Sequence, residues 1–175
     1  MQEIYNRARN IRVAAFDVDG VLTDGALYYA DSGEELKRFN VHDGHGMRML
    51  KDSGLTLAII TSRRSRSVEE RARNLGVELL YQGATDKLAA FQELLGRCCV
   101  EATACAFAGD DLVDLPVMRR CGLAATVPGA PALVRRHAHI VTRCRGGEGA
   151  VREFCELILY AQGSLATRHA DHAEH

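Results

Sequence analysis

The stretch IRVAAFDVDGVLTDG, residues 11–25, predicts a central element of the fold and, directly after it, candidate catalytic residues. Its apolar first half indicates a short buried β-strand that ends at Phe16. Two carboxylates follow directly, Asp17 and Asp19, and Gly20 allows the backbone to turn sharply. Ligands of open parallel sheets bind at the carboxyl ends of the strands, so these acids lie where a reaction is expected. A polar loop that only ends a strand is the simpler alternative, and this one motif does not decide between them.

The composition is that of an ordinary soluble globular protein. Of the 175 residues, 47% are hydrophobic and 26% are charged, which fits one well-packed domain over residues 1–175. The net charge of −1 gives no electrostatic reason to expect nucleic acid or a membrane as a partner. No apolar run is long enough to span a bilayer, and the first ten residues are too polar for a secretory signal. The six cysteines lack CxxC spacing, so we expect free thiols in a reducing cytoplasm.

Apolar runs and helix-forming segments alternate along the chain. After the first strand, buried strands are expected at 55–60, 77–81, 104–109, 123–127 and 139–142. With helices between them, this alternation predicts an α/β fold: a parallel sheet flanked by helices and joined by right-handed crossovers. The helix that precedes the second strand is expected to begin with Asp43 as its acidic cap. Residues 163–175 are polar, and we expect a flexible tail there.

Residues 25–39 depart from this alternation. Two short β-prone runs, ALYYA and ELKRF, flank the turn sequence DSGE and predict a projecting β-hairpin. Its apolar side chains are Leu27, Tyr28, Tyr29, Leu36 and Phe39. Because a lone hairpin is only marginally stable in water, these side chains are expected to pack against another surface.

Polar residues also follow three further predicted strands. Thr61 ends the second strand, Lys87 begins a helix after the third, and Asp110 and Asp111 follow the fourth. Each has a simpler interpretation, because Thr and Asp are common helix caps and Lys is a common surface charge. Together with the acidic pair after the first strand, they supply what phosphoryl transfer requires. These requirements are an anionic nucleophile, a proton donor, groups for the phosphoryl oxygens and carboxylates for a divalent metal.

The same segments resemble the haloacid dehalogenase (HAD) superfamily. FDVDGVLTD, IITS, the lysine of TDKL and AGDDLVD match its four motifs in order. The resemblance implies a Rossmann-like HAD core in which Asp17 is the nucleophile that becomes an aspartyl-phosphate. Asp19 would be the general acid and base, and Thr61 and Lys87 would hold the phosphoryl oxygens.

The resemblance also implies a metal site. Asp17, Asp110 and the backbone carbonyl of Asp19 would bind Mg²⁺, with Asp111 and Asp114 placed close behind them. A hard, all-oxygen site that also binds phosphate suits Mg²⁺ better than zinc. A cation is needed there in any case, because a carboxylate that attacks a phosphate dianion meets like-charge repulsion.

The spacing between the motifs leaves no room for a cap domain. Thr61 follows Asp17 by 44 positions, enough for a hairpin and one helix, and Lys87 follows Thr61 by 26, enough for one helix and one strand. A site without a cap is open to water, which weakens electrostatic stabilisation. Either a macromolecular substrate or a neighbouring subunit must therefore cover it. The apolar hairpin 25–39 favours a homo-oligomer whose neighbours complete each site.

Over about Arg12 to Gly163 the chain resembles one family in particular, the 3-deoxy-D-manno-octulosonate 8-phosphate phosphatases of lipopolysaccharide precursor synthesis. The matching segments are FDVDGVLTDGALYY, FNVHDGHGMRML, VELLYQGATDKLAAF, GDDLVDLPVM and RGGEGAVREFCELILYAQG. The resemblance implies hydrolysis of a small sugar acid phosphate by a tetramer whose hairpins associate centrally and whose C-terminal segments reach neighbouring sites.

Three residues are candidates for binding this substrate: Arg63, Arg71 and Ser62. Arginine matches carboxylate and phosphate groups bidentately. For Arg71, a charge on a helix surface is an equally good interpretation. Ser62 lies where relatives often have glycine, which alters how closely the backbone approaches the phosphate.

Several alternatives stay open. A phosphatase of a nine-carbon 2-keto-3-deoxy sugar acid phosphate has the same fold, and Arg63 favours the eight-carbon substrate without deciding the matter. A non-catalytic oligomerisation module is a second alternative, although Asp17 and Lys87 are both present. A receiver domain does not fit, because its acidic pair precedes a phospho-accepting Asp on a later strand. The segment Gly146–Gly149 is either a plain linker or sets the path of the tail into a neighbouring subunit.

Overall fold

The computed structural model describes residues 2–164, and its centre is a parallel sheet of six strands in the order β5-β4-β1-β6-β7-β8. These strands are β1 (Val13–Phe16), β4 (Thr56–Thr61), β5 (Leu79–Gln82), β6 (Cys105–Ala108), β7 (Leu123–Thr126) and β8 (Ile140–Val141). The predicted α/β architecture is thus confirmed. The order also places β1 between β4 and β6, where Phe16 lies opposite Ile59 and Ala108.

Seven helices cover the two faces of this sheet within residues 2–164. They are α1 (Gln2–Arg9), α2 (Val41–Asp52), α3 (Arg66–Leu75), α4 (Lys87–Cys98), α5 (Leu115–Met118), α6 (Ala132–His137) and α7 (Ala150–Ala161). None of them is both long and apolar enough to cross a bilayer.

The side chains of β1 divide between two buried clusters, because successive residues of a strand point to opposite faces. Ala14 and Phe16 face the cluster that helices α1, α2, α3 and α7 cover. Val13 and Ala15 face the cluster under α4, α5 and α6. In the first cluster the ring of Phe16 meets that of Phe154 edge to face, with centroids 6.4 Å apart. The central strand is therefore packed on both sides, which fixes the position of its carboxyl end.

The predicted hairpin is present between β1 and α2. Its strands β2 (Tyr28–Tyr29) and β3 (Glu35–Leu36) pair antiparallel in a separate two-stranded sheet. Leu27 is 51% exposed and Tyr29 is 62% exposed, so much of the apolar surface of the hairpin faces away from this chain. Between β4 and α4 the chain contains only α3 and β5, which agrees with the prediction that there is no cap domain.

The expectation that Asp43 caps α2 is wrong. The cap is Asn40, whose side-chain oxygen accepts hydrogen bonds from the backbone N–H groups of His42 and Asp43. Asp43 already lies in the first turn and is buried, and its carboxylate accepts N–H groups from the start of α7 instead. The polar residues after Met1 form a helix of eight residues, α1, and the tail expected over 163–175 lies almost wholly outside the described residues.

Candidate active site

The acidic pair lies at the carboxyl end of the central strand. The Asp17 backbone N–H donates to the Ala108 carbonyl, 2.9 Å away, which extends the pairing of β1 with β6 by one residue. The chain then turns at Gly20, whose φ of +84° lies in the region that favours glycine. Inside this turn the buried hydroxyl of Thr23 accepts the N–H groups of Gly20 and Gly25. The loop that carries Asp17 and Asp19 is thus held by its own polar groups.

Lys87 lies between two buried carboxylates. Its Nζ is 2.8 Å from Asp17 Oδ1 and 2.6 Å from Asp114 Oδ1, and all three side chains are buried. Burial by itself lowers the pKa of Lys87, but the negative charges of Asp17 and Asp114 reverse this and raise it overall. Lys87 therefore remains a cation, fixed at the first residue of α4 where Asp86 caps the helix.

Asp17, Asp110 and Asp114 each offer a carboxylate oxygen, and these oxygens lie within 4.8 Å of one another. Asp114 is fixed by the N–H groups of Asp110 and Asp111, which donate to its Oδ2 at 2.9 and 3.1 Å. Burial and, after it, the neighbouring Asp114 raise the pKa of both Asp17 and Asp110 to about 7. When all three are ionised, these carboxylates carry more negative charge than Lys87 alone neutralises.

This donor set fits a divalent cation. The three carboxylates offer hard oxygen ligands, which suit Mg²⁺ and similar ions better than soft metals. The raised pKa values of Asp17 and Asp110, caused by burial and by the nearby Asp114, indicate that a further positive charge would be stabilised at this position. The predicted metal residues Asp17 and Asp110 lie together here. Asp114, expected close behind them, lies in the cluster itself.

Thr61 and Ser62 lie at the end of the neighbouring strand. Thr61 is the last residue of β4, which pairs with β1, and its side chain is buried. Its carbonyl accepts the N–H of Ala84, so the loop before α4 is tied to the same strand end. Ser62 follows Thr61 and is exposed. The structure thus places both residues at the edge of the sheet where Asp17 lies.

The carboxylate of Asp19 points toward the hairpin. It forms an ion pair with Lys37, and its Oδ2 lies 3.9 Å from Arg63 Nε. Lys37 and Arg63 both also contact the carboxylate of Glu35. The Lys37 side chain is only 2% exposed in spite of its charge. Four charged groups from the first loop, the hairpin and the end of β4 therefore form one network.

Arg71 lies apart from the carboxylate cluster in this chain. Its guanidinium donates to the Asn40 carbonyl at 3.0 Å and lies over the ring of Phe39, with its central carbon 5.8 Å from the ring centroid. Burial lowers the pKa of Arg71, and the nearby charge of Arg48 lowers it further. It lines the same surface groove as Lys37, between the hairpin and α3.

Sequence reasoning missed two residues of this site, Lys37 and Glu35. Nothing in the run ELKRF distinguishes Lys37 from an ordinary surface lysine, and only the pairing of β2 with β3 turns it toward Asp19. For Asp114 a signal was available. It follows Asp110 by four positions in a turn of 3₁₀-helix, so its carboxylate can return to the N–H groups that precede the turn.

Comparison with known proteins identifies close relatives, although no family model matches the chain. The 3-deoxy-D-manno-octulosonate 8-phosphate phosphatase KdsC of Yersinia pestis is 50% identical over 163 residues, which are 93% of this chain and 87% of that protein. The structure of the corresponding phosphatase of Moraxella catarrhalis, in complex with a magnesium ion, a phosphate ion and KDO, superposes with a TM-score of 0.96. It is 44% identical and covers 98% of each chain.

A third relative is a Legionella pneumophila protein assigned to subfamily III A of the HAD superfamily hydrolases. Its structure superposes with a TM-score of 0.95 at 38% identity, and the match covers 100% of this chain and 96% of that one. The similarity therefore extends over the whole sheet and over the site at its carboxyl edge.

Proposed function

This chain belongs to the 3-deoxy-D-manno-octulosonate 8-phosphate phosphatases of the HAD superfamily, and we propose that it hydrolyses that sugar acid phosphate to the free sugar acid and inorganic phosphate. The observation that carries the proposal is the contact of Lys87 with Asp17 and Asp114 beside Asp110, in a chain half identical to a named phosphatase. A buried nucleophile beside a fixed cation and an oxygen-rich metal position is what transfer of a phosphoryl dianion requires.

We propose that the metal is Mg²⁺, held by Asp17, Asp110 and the backbone carbonyl of Asp19. The ion would neutralise charge on the phosphoryl group and so reduce its repulsion from the nucleophile. Lys87 supplies a second, permanent positive charge for the phosphoryl oxygens. Thr61 contributes a hydroxyl donor from the end of β4.

In the first half of the reaction, Asp17 attacks phosphorus and the bond from phosphorus to the sugar oxygen breaks. Asp19 donates a proton to the leaving oxygen, and the product of this half is an aspartyl-phosphate on Asp17. In the second half, Asp19 accepts a proton from water. The resulting oxygen attacks phosphorus, and inorganic phosphate leaves as the carboxylate of Asp17 is restored.

We propose that Arg63, Arg71 and Ser62 bind the substrate. Arg63 is the best placed, because it is partly exposed and already contacts the carboxylates of Asp19 and Glu35. A carboxylate of the sugar acid would replace one of these contacts. Ser62 is exposed directly after Thr61. Arg71 lines the groove beside the hairpin and would meet the distal part of the substrate or a neighbouring subunit.

We further propose a homotetramer assembled through the hairpin. Leu27, Tyr28, Tyr29 and Leu36 are all more than 40% exposed, and so many apolar groups on one small element favour association. Tyr29→Glu should shift the sedimentation coefficient toward that of a monomer, whereas Tyr160→Glu, at an equally exposed tyrosine of α7, should not. A parent protein that sediments as a monomer at assay concentration would refute the proposal.

We place the enzyme in the cytoplasm. All six cysteines are free, and three of them are buried thiols. An unpaired set of this size is typical of a reducing compartment. Fractionation of cells that express the protein at its native level should recover it with cytoplasmic markers, and recovery from an oxidising compartment would contradict the assignment.

The experiment that tests the function is phosphate release from a panel of substrates, with and without Mg²⁺. The panel contains the eight-carbon acid phosphate, its nine-carbon analogue, hexose phosphates and a phosphoprotein. We expect metal-dependent release dominated by the eight-carbon substrate. Preference for the nine-carbon analogue would overturn the proposed substrate but leave the proposed reaction unchanged. The absence of release from every member of the panel would favour a non-catalytic module.

Asp17→Asn gives the matching test of the mechanism. An amide cannot attack phosphorus, so turnover should fall below detection while the variant remains folded by circular dichroism. Asp31→Asn, in the exposed turn of the hairpin, is the control for the same substitution. Near-normal turnover of purified Asp17→Asn would refute the aspartyl-phosphate.

A further inference from the structure

The segment Gly146–Gly149, called here the glycine turn, lies against the backbone of the loop that follows β1. A Cβ atom on Gly146 would be 1.8 Å from the Gly20 carbonyl oxygen and 2.9 Å from that of Thr23. The next residue, Gly147, donates its N–H to the Val21 carbonyl at 3.0 Å. There is no room for a side chain at either glycine, since a Cβ atom on Gly147 would likewise be 2.6 Å from the backbone N of Asp24. The glycine turn is therefore more than a linker, because it is packed backbone to backbone on the loop that carries Asp17 and Asp19.

Gly20 also lies against Asp110, one of the proposed metal ligands. A Cβ atom on Gly20 would be only 2.0 Å from Asp110 Oδ2. Gly20 thus has the Asp110 carboxylate next to its Cα and Gly146 next to its carbonyl oxygen. A side chain at position 146 that displaced Gly20 would therefore also shift the contact of Gly20 with Asp110, since packed interiors leave little free space.

The glycine turn is itself fixed by the first turn of α2. The side-chain nitrogen of Asn40 donates to the Gly147 carbonyl at 3.2 Å, while its oxygen caps α2. The buried carboxylate of Asp43 accepts the N–H groups of Gly149 at 3.2 Å and Arg152 at 2.8 Å. Helix α2 therefore fixes the start of α7. The glycine turn that precedes α7 is held against the loop after β1 by the same hydrogen bonds.

We propose that Gly146 is a positioning residue for the reaction: its bare Cα sets the distance between the Asp17–Gly20 loop and Asp110. The inference rests on the function proposed above. It assigns to the glycine turn a purpose within its own subunit, that of holding the metal ligands of two different strand ends in register. Gly146 touches no reacting atom and acts only through Gly20.

Gly146→Ala tests the proposal. The φ angle of Gly146 lies outside the left-handed region, so alanine meets no backbone strain there, and the contacts that change are those with Gly20 and the Thr23 carbonyl. We expect kcat to fall roughly a hundredfold, the effect of misplacing catalytic groups by about 1 Å, with KM changed much less. In calorimetric titration the variant should bind Mg²⁺ or Mn²⁺ at least about tenfold more weakly, since two ligands would no longer lie in register. Gly129→Ala is the control, because no atom lies within 4 Å of a Cβ there.

Asn40→Asp keeps the test decisive if Gly146→Ala folds poorly. Aspartate caps a helix as well as asparagine does, so α2 retains its cap while the donor to the Gly147 carbonyl is lost. We expect the parent melting temperature to be nearly retained, with kcat and metal affinity reduced in the same direction as in Gly146→Ala. A purely structural role predicts the reverse: a lower melting temperature with kcat and metal affinity per folded molecule unchanged. That result would overturn the proposal.

The failure of the proposed function would look different. In that case the parent protein would release no phosphate from any member of the panel. Metal titration of the parent, Gly146→Ala and Gly129→Ala proteins would still decide whether Gly146 positions the ligands. Equal metal affinity in all three would refute the positioning role independently of catalysis.

Discussion

Lys87→Met should be the most destabilising single change at the site when no metal is bound. In the parent protein the Lys87 ammonium group lies 2.8 Å from Asp17 and 2.6 Å from Asp114, and all three groups are buried. Methionine has a similar length and fills the same space, so the substitution removes the charge with little change in packing. It leaves two neighbouring carboxylates without their common cation.

The expected magnitude follows from these distances. At an effective dielectric constant of about 20, each contact contributes roughly 6 kcal/mol of Coulomb attraction, most of which offsets the cost of burying the charges. Removing one partner of a buried ion pair typically costs about 3–5 kcal/mol, because the remaining charge stays buried. We therefore expect the free energy of unfolding to fall by about 3–5 kcal/mol. Turnover with Mg²⁺ should fall by roughly a hundredfold or more, since the cation proposed to hold the phosphoryl oxygens would be lost.

The assay is urea unfolding at pH 8 in EDTA, at one fixed protomer concentration, for the parent, Lys87→Met and Lys51→Met proteins. Lys51 is exposed and donates to the Gly76 carbonyl, so its loss should cost about 1 kcal/mol. Adding Mg²⁺ should restore more stability to Lys87→Met than to the parent, because the ion no longer meets a neighbouring ammonium group. A Lys87→Met protein within about 1 kcal/mol of the parent in EDTA would refute the reasoning.

Three further predictions concern single residues. Cys99→Gly should stabilise the protein by about 0.5–1 kcal/mol in urea unfolding, because Cys99 ends α4 at a φ of +50°, whereas Cys98→Gly, inside the helix, should destabilise it. Gly20→Ala should lower turnover by at least about a hundredfold and abolish metal binding in calorimetric titration. The reason is that the φ of Gly20 is +84° and a Cβ atom there would clash with Asp110. Unchanged metal affinity would contradict this prediction. His139 accepts the Ala124 N–H at Nδ1, and burial lowers its pKa, so it contributes stability that is complete above the ordinary pKa of about 6.5 and is lost as the pH falls through the lowered value. His139→Asn, which keeps an acceptor but does not titrate, should lose less stability between pH 7 and pH 5 in urea unfolding, and identical pH profiles would refute the assignment.

The sequence predicted the sheet and the strand-end residues because both depend on local patterns. The run from Val13 to Phe16 is apolar throughout and ends in Asp17, and a strand followed by an acid needs no knowledge of the rest of the chain. The motif order around Thr61 and Lys87 then placed their strand ends at the same edge of the sheet. In a parallel sheet with right-handed crossovers, the carboxyl ends of the strands lie at the same edge whatever the rest of the sequence.

What the sequence did not predict depends on contacts between distant segments. Asp43 looks like a helix cap because it precedes a helical pattern, yet its carboxylate binds N–H groups 106 and 109 positions away while Asn40 provides the cap. Lys37 has no distinguishing neighbours in sequence and becomes part of the site only through the hairpin. The contact of Gly146 with Gly20 leaves no periodic signal, because it is made by backbone atoms alone.

The position of the glycine turn after all four motif segments bears on the order in which the site is assembled. The four motif segments are complete once Asp114 has been synthesised, but the loop after β1 lacks its outer support until Gly146 and the first turn of α7 have emerged from the ribosome. Such contacts between early and late segments form late in folding, since the intervening chain must first be closed into a loop. Phosphatase activity would then require that synthesis has passed the glycine turn and the first turn of α7. A fragment that ends before Gly146 would keep the residues proposed to react with phosphate. It would lose the contact that positions the loop after β1 relative to Asp110.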